Sequence, residues 1–165
     1  MITLQPITSK NLGAVWKMKA DPELVAPNNW SLAEAYAYSY EHGHDKLLVR
    51  AIYDDETPVG FLMANYDPKY EYVDNKGEPY FYLWRLMVDE QYQNKGYGRA
   101  AMELLIAEVK TGKHGKANAF YTGTARQSEV TPKFYGSLGF VYTGEVDRDE
   151  CSDENHDEDI MRLEI

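Results

Sequence analysis

Cysteine occurs once in the 165 residues, at Cys151, so no internal disulfide can form and a cysteine-rich metal centre is excluded. Such usage agrees with a reducing compartment. Cys151 stands in an acidic, hydrophilic stretch with only Arg148 and His156 as basic neighbours, which suits an exposed loop residue better than a nucleophile. Basic residues are scarce too: 17 Lys and Arg face 27 Asp and Glu, for a net charge of −10. A surface of that sign repels nucleic acid and anionic membrane, and it draws in cations from about one Debye length, ~8 Å at physiological salt. No apolar stretch approaches the ~20 residues needed to span a bilayer, and none follows a basic cluster near Met1. The expected compartment is therefore the cytoplasm. Histidine is sparse as well. His42 and His44, beside Asp45, lack a third ligand at a workable spacing, so no metal site is expected there or at His114 and His156.

What is present suffices for one domain over residues 1–165, with 44% hydrophobic and 13% aromatic residues to fill a core. Alternation over Ile2 to Ile7 predicts a first strand. Thr8 or Ser9 can cap a helix running through Lys19, and Asp21-Pro22 ends it. After a turn-rich connector, Ser31 and Glu34 have capping-box spacing for a second helix through about Glu41. A hairpin follows, with strands Lys46 to Tyr53 and Val59 to Tyr66 about a turn at Asp54 to Pro58, then a loop from Asp67 to Pro79. Tyr80 to Asp89 reads as a central strand, and Ala100, Ala101, Leu104, Leu105, Ala107 and Val109 fall at helical spacing up to Thr111-Gly112. Strand 118–124, a short helix 128–138, strand 140–146 and a last strand 159–165 that closes the sheet complete the chain. Hairpin and helix connections together imply an α/β fold, a mixed sheet with helices on both faces.

The connector between the central strand and its helix carries the chemistry. Gly96 and Gly98 stand where the first helical turn offers unpartnered N–H groups and the positive end of the helix dipole, with Lys95 and Arg99 beside them. Such a loop is built to hold phosphate. The Walker spacing G-x-x-x-x-G-K-[ST] is absent. Gly96, Gly98 and Ala101 satisfy G-x-G-x-x-G/A, but the connector is long for a dinucleotide turn and no acid closes the next strand, Ala119 to Thr124. A third spacing, Gln93-x-x-Gly96-x-Gly98 after Leu86-Met87-Val88, resembles the [QR]-x-x-G-x-[GA] acetyl-CoA loop of the GNAT superfamily of N-acetyltransferases. Lys133-Phe134-Tyr135-Gly136-Ser137-Leu138-Gly139-Phe140 is similar to the superfamily's FYxxLGF segment. Both motifs occur in order, about forty residues apart, and the likeness runs from roughly Pro58 to Gly144, nearest to polyamine acetyltransferase-like members.

The resemblance implies the acyl-CoA N-acyltransferase fold and acetyl-CoA as co-substrate, with no metal. The backbone of Met87 and Val88 would hydrogen-bond the pantetheine arm where this strand splays from its neighbour, and the Val88 amide would meet the oxyanion. Gln93, Asn94, Lys95, Gly96, Tyr97 and Gly98 would cradle the pyrophosphate, with Arg99 at the helix start. Ser128 stands where the family often has a pantetheine-binding asparagine, and its side chain is shorter. Tyr135 stands where the family has the acid that protonates the departing thiolate. Relatives often carry an acid on the central strand as base. Trp84 occupies that place here, leaving a distant carboxylate such as Glu34 acting through water, or water alone. The family's acceptor side implicates Trp30, Glu34, Tyr36 and Tyr38, and Trp84 could stack on a cation at roughly 0.5 to 2 kcal/mol.

The expected reaction is acetyl transfer to a primary amine of a small cationic acceptor, a polyamine first, by direct attack in a ternary complex. An aminoglycoside or a peptide or protein amine is the alternative within the class, and a non-catalytic acyl-CoA or polyamine-binding module the alternative outside it. The acids Asp147, Asp149, Glu150, Asp153, Glu154, Asp157, Glu158 and Asp159 make either a solvated hairpin tip or a negative rim that guides a cation. A calcium loop does not fit, because Cys151 and Ser152 fall where an EF-hand needs a ligand and a glycine. Dimers are common in the resembled family, so a homodimer is an open expectation.

Overall fold

The computed structural model describes residues 1–20, 28–68, 73–148 and 157–165. Cys151, half of the acidic run, the Asp21-Pro22 stop and part of the Asp67 to Pro79 loop lie outside them. The described elements are β1 (Ile2–Pro6), α1 (Leu12–Trp16), α2 (Asn28–His42), β2 (Leu47–Asp54), β3 (Thr57–Tyr66), β4 (Phe81–Val88), α3 (Tyr97–Lys110), β5 (Ala119–Ala125), α4 (Val130–Gly136), β6 (Val141–Asp147) and β7 (Glu158–Glu164). Single 3-10 turns precede β2 and follow β4, at His44–Lys46 and Glu90–Tyr92. Seven strands form one sheet in the order β1-β2-β3-β4-β5-β7-β6. Every pairing is antiparallel except β4 with β5. The mixed α/β architecture agrees with the pattern of the sequence.

Alternation along the central strands supplies two cores. Leu62, Phe81, Leu83 and Phe120 face Ala101, Met102, Leu105 and Val109 of α3, and Tyr135 of α4. Phe61, Met63 and Met87 face the other way, toward Val15 and Met18 at α1 and Ala35 and Tyr38 of α2. Burying a large apolar side chain is worth about 1.5–3 kcal/mol, so β3 and β4, apolar on both faces, anchor the sheet.

Three local readings are corrected. The first helix is shorter than expected. Asn11 Nδ2 donates to the Pro6 carbonyl while its Oδ1 accepts from the Thr8 amide, which makes residues 8–11 a turn. At the other end, the Lys19 amide donates to Asp89 Oδ2 at 3.1 Å and the Lys19 carbonyl accepts from the Glu90 amide at 2.8 Å, so its backbone serves the turn after β4 rather than helix. The capping box is also absent: α2 already runs from Asn28, Ser31 is buried within it, and Glu34 binds Arg85 instead. Third, β7 does not close the sheet but lies inside it, between β5 and β6. Its Ile160 and Met161 are buried, whereas β6 leaves Val141 and Tyr142 exposed at the edge.

β4 carries an irregularity of its own. Met63 pairs with Arg85 while its neighbour Ala64 pairs with Leu83, so Trp84 is an extra, unpaired residue: a β-bulge. Strict alternation would put Trp84 and Arg85 on opposite faces. The bulge turns both toward α2, where the Trp84 ring meets Tyr38 at 5.5 Å and Arg85 meets Glu34 at 3.0 Å.

Candidate functional site

The bulge coincides with a parting of strands. β4 pairs with β5 only over Phe81–Leu83, against Phe120–Thr122. From Trp84 to Val88 its outer edge has no described strand partner, while β3 continues to pair on the inner side as far as Val88. An extended chain can add to such an edge by backbone hydrogen bonds.

Just beyond Val88 the backbone is shaped for an anion. Asp89 is buried, accepts from the Gln91 and Lys19 amides, and so fixes the turn that leaves the strand. Asn94 at φ 62° and Gly96 at φ 82° then take left-handed conformations that reverse the chain into α3. Gly96 is the N-cap and offers no side chain, so the first amides of α3 have no side-chain cap. Gly98 lies 3.7 Å, measured from an added Cβ, from Phe134 and Val88, where α3 approaches both β4 and α4.

Side chains brace this loop. Gln93 Nε2 donates to the Val88 carbonyl at 3.2 Å, and Lys95 Nζ to the Gln91 carbonyl at 3.4 Å. Tyr97 donates to Asp54 Oδ2 at 2.8 Å, which holds the Asp54 carboxyl below its ordinary range and the phenol above its own. Arg99 contacts Glu103 and the Ser137 hydroxyl and carbonyl, tying α3 to the end of α4. Ser128 is buried, and its Oγ accepts from the Val130 and Thr131 amides, making it the cap of α4. Its hydroxyl proton remains able to donate.

Tyr135 stands at the apex of the parting. Its phenol shares a hydrogen bond with the Thr122 hydroxyl, and Thr122 is the partner of Leu83 in the last β4–β5 pair. Burial pushes its pKa up to about 12. The ring is fixed against Phe134 and Phe140, with centroids at 5.1 and 5.6 Å.

On the opposite face of the apex is a residue that no sequence pattern singles out. Glu158, the first residue of β7, pairs with Ala125 and Asp147 in the ladder, and its carboxylate lies over Gly123. A Cβ at Gly123 would overlap Glu158 Oε2 and come within 3.0 Å of the Tyr82 hydroxyl. Burial is the main influence on its carboxyl and raises its pKa; Arg85 lowers it and Asp147 raises it. In sequence it was one acid among eight, and only the β5–β7 pairing brings it to the apex.

The acceptor-side candidates divide. Glu34 and Trp84 come together around Arg85, whose guanidinium lies 5.7 Å from the Trp84 ring centroid and donates to the Trp84 carbonyl at 2.7 Å. Glu34 is bound to that guanidinium, and the Trp84 ring already has a cation of this chain beside it. Trp30 and Tyr36 are exposed on α2, whereas Tyr38 is buried against His42 and Trp84. Among the described residues no three or more His, Cys, Asp and Glu side chains converge as a metal site, and no helix is long and apolar enough to cross a membrane.

Comparison with known proteins agrees with this geometry. The model of the acetyltransferase (GNAT) family matches residues 14–140. A spermine/spermidine N(1)-acetyltransferase of Bacillus subtilis strain 168 is 24% identical over 148 residues, covering 88% of this chain and 91% of that protein. The ribosomal-protein-S18-alanine N-acetyltransferase of Escherichia coli superposes with a TM-score of 0.68 at 22% identity, covering 100% of this chain and 94% of that one. A structure of a GNAT acetyltransferase from Elizabethkingia anophelis with acetyl-CoA bound gives 0.67 at 15% identity, over 99% and 98% of the two chains.

Proposed function

The chain belongs to the acetyltransferase (GNAT) family, and from that premise we propose that it moves an acetyl group from acetyl-CoA to a primary amine of a small cationic acceptor, a polyamine first. The observation that carries the reading is the parting of β4 from β5 after Leu83, directly beside a left-handed turn that opens α3.

The residues present suit acetyl-CoA. The free edge at Met87 and Val88 offers backbone groups to the amides of a pantetheine arm, and the amides from Gln93 to Gly98 offer donors to a pyrophosphate. Arg99 adds positive charge at the same end of α3. Acetyl-CoA supplies an acetyl group activated as a thioester. The Val88 amide would stabilise the charge that develops on its carbonyl oxygen, and Tyr135, protonated at neutral pH as a phenol is and held so to higher pH by its burial, would hand a proton to the departing sulfur. Amine and thioester meet at the apex, so the attack is direct and within a ternary complex. The cytoplasm, where acceptor and acetyl-CoA coexist, is the setting we propose.

A polyamine is supported by the net charge of −10 and by the spermine/spermidine acetyltransferase relative. Mass spectrometry of amines incubated with the protein and acetyl-CoA tests the choice, with spermidine, spermine, an aminoglycoside, free amino acids and short peptides as the panel. Monoacetylated spermidine or spermine is expected. An acetyl group found only on peptides or the aminoglycoside would replace the polyamine, and acetylation of none would favour a binding module.

A further inference from the structure

Acetyl transfer to an amine, the reading on which this inference rests, requires that amine to be neutral, so the acceptor's ammonium proton needs a destination. Among the described residues, the carboxylates near the parting of the strands are Glu34, Asp89, Glu158 and, across the β6–β7 ladder from Glu158, Asp147. Glu34 is bound to Arg85 at 3.0 Å. Asp89 accepts from the amides of Lys19 and Gln91 and is spent on the backbone. Glu158 is the one whose carboxylate lies over Gly123 at the apex. We propose that Glu158 is the base that takes the proton from the acceptor ammonium, reaching from β7 to the apex through the space that Gly123 leaves open.

The placement is what a base needs. Leu83 and Thr122 are the last pair before β4 and β5 part. Thr122 faces the α3 and α4 side, where it meets the Tyr135 phenol, and Gly123, the next residue of β5, faces the other side, where it meets the Glu158 carboxylate. Acid and base thus flank one point from opposite faces of the sheet. The two groups are near enough that the charge of Glu158 raises the Tyr135 pKa. The Glu158 face is also the one that carries Trp84, Arg85 and α2, hence the acceptor's side. Arg85 and Tyr82 from β4, Asp147 from β6 and Tyr135 from α4 are the titratable or charged groups that face it. The neighbouring Asp157 and Asp159 are paired with Arg126.

The step balances. The Glu158 carboxylate accepts one N–H proton and becomes a carboxylic acid, leaving a neutral amine whose lone pair forms the C–N bond at the thioester carbon. The carbonyl electrons move to oxygen, and their return breaks the C–S bond with its electron pair leaving on sulfur. Tyr135 protonates that thiolate and is reprotonated, through water, by the nitrogen's second proton. Glu158 returns its proton to solvent, so one proton is released per amide formed.

The test is steady-state CoA release by the full chain from roughly pH 6 to pH 10, with spermidine and separately a short peptide as acceptor, alongside calorimetric binding of acetyl-CoA. Glu158→Gln is expected to lose about 100-fold in kcat/KM together with the acid limb of the profile, with acetyl-CoA affinity kept. Glu158→Asp recovers part of the rate. Gly123→Ala, which leaves Glu158 in place but pushes its flexible end aside, loses about ten-fold. A Glu158→Gln variant with the wild-type rate and acid limb overturns this inference alone; a wild-type protein that acetylates neither amine overturns the parent reading and this inference with it.

Discussion

Tyr135 and Glu158 are both moved upward in pKa by burial, with opposite consequences. For the phenol the shift to about 12 keeps the proton on across the working range, as an acid requires. Tyr135→Phe is expected to lower kcat by about 100-fold with acetyl-CoA affinity unchanged, which single-turnover kinetics and calorimetry would show. For Glu158 the shift costs stability whenever the group is charged. A folded-state pKa above the unfolded value gives stability that is present below the unfolded pKa and lost as pH rises through the folded one. Glu158→Gln should therefore melt higher than wild type at pH 8 and lose that advantage in acid, as thermal unfolding at both pH values would reveal; a residue kept only as an ion-pair partner of Arg85 would give a lower melting temperature instead. Tyr135 stands out in the sequence as a candidate because its motif is local. Glu158 does not, because its position depends on a ladder between β5 and β7 and on the missing side chain at Gly123.

At the scale of elements, periodicity and cap signals point to each described strand and helix, though not to all their bounds, and do not show the bulge in β4. The bulge at Trp84 is one residue long and breaks alternation inside an apolar run, where Trp and Arg read equally well on either face. If Glu158 is the base, as proposed, the proton acceptor stands on β7 and not at Trp84 on the central strand. The Ser31–Glu34 spacing misled for a related reason: Glu34 has a partner in Arg85, far away in sequence, that outcompetes a local cap. The loop before α3 was legible because glycine spacing reports backbone shape directly. Gly96→Ala tests it. The site has open space for a Cβ but a φ of 82°, so the substitution should cost about 1 kcal/mol in stability and weaken acetyl-CoA binding by about ten-fold, both measurable on the purified variant.

Over the whole molecule, the proposed function uses a sheet whose two faces differ: the α3 and α4 face beside the glycine loop, and the α1 and α2 face with Trp84, Arg85 and Glu158. Net charge acts at the same scale. With −10 distributed over the chain, KM for spermidine should rise as salt shortens the Debye length from ~10 Å at 0.1 M toward ~3 Å at 1 M, while KM for a neutral peptide amine changes little. All of this presupposes that the edge of β4 and the start of α3 together hold a CoA thioester. Calorimetric titration of the full chain with acetyl-CoA, and in parallel with NAD, addresses that most directly. Saturable binding of acetyl-CoA with none of NAD is the expected result; a chain that fails to bind acetyl-CoA, or that binds NAD in its place, would contradict it.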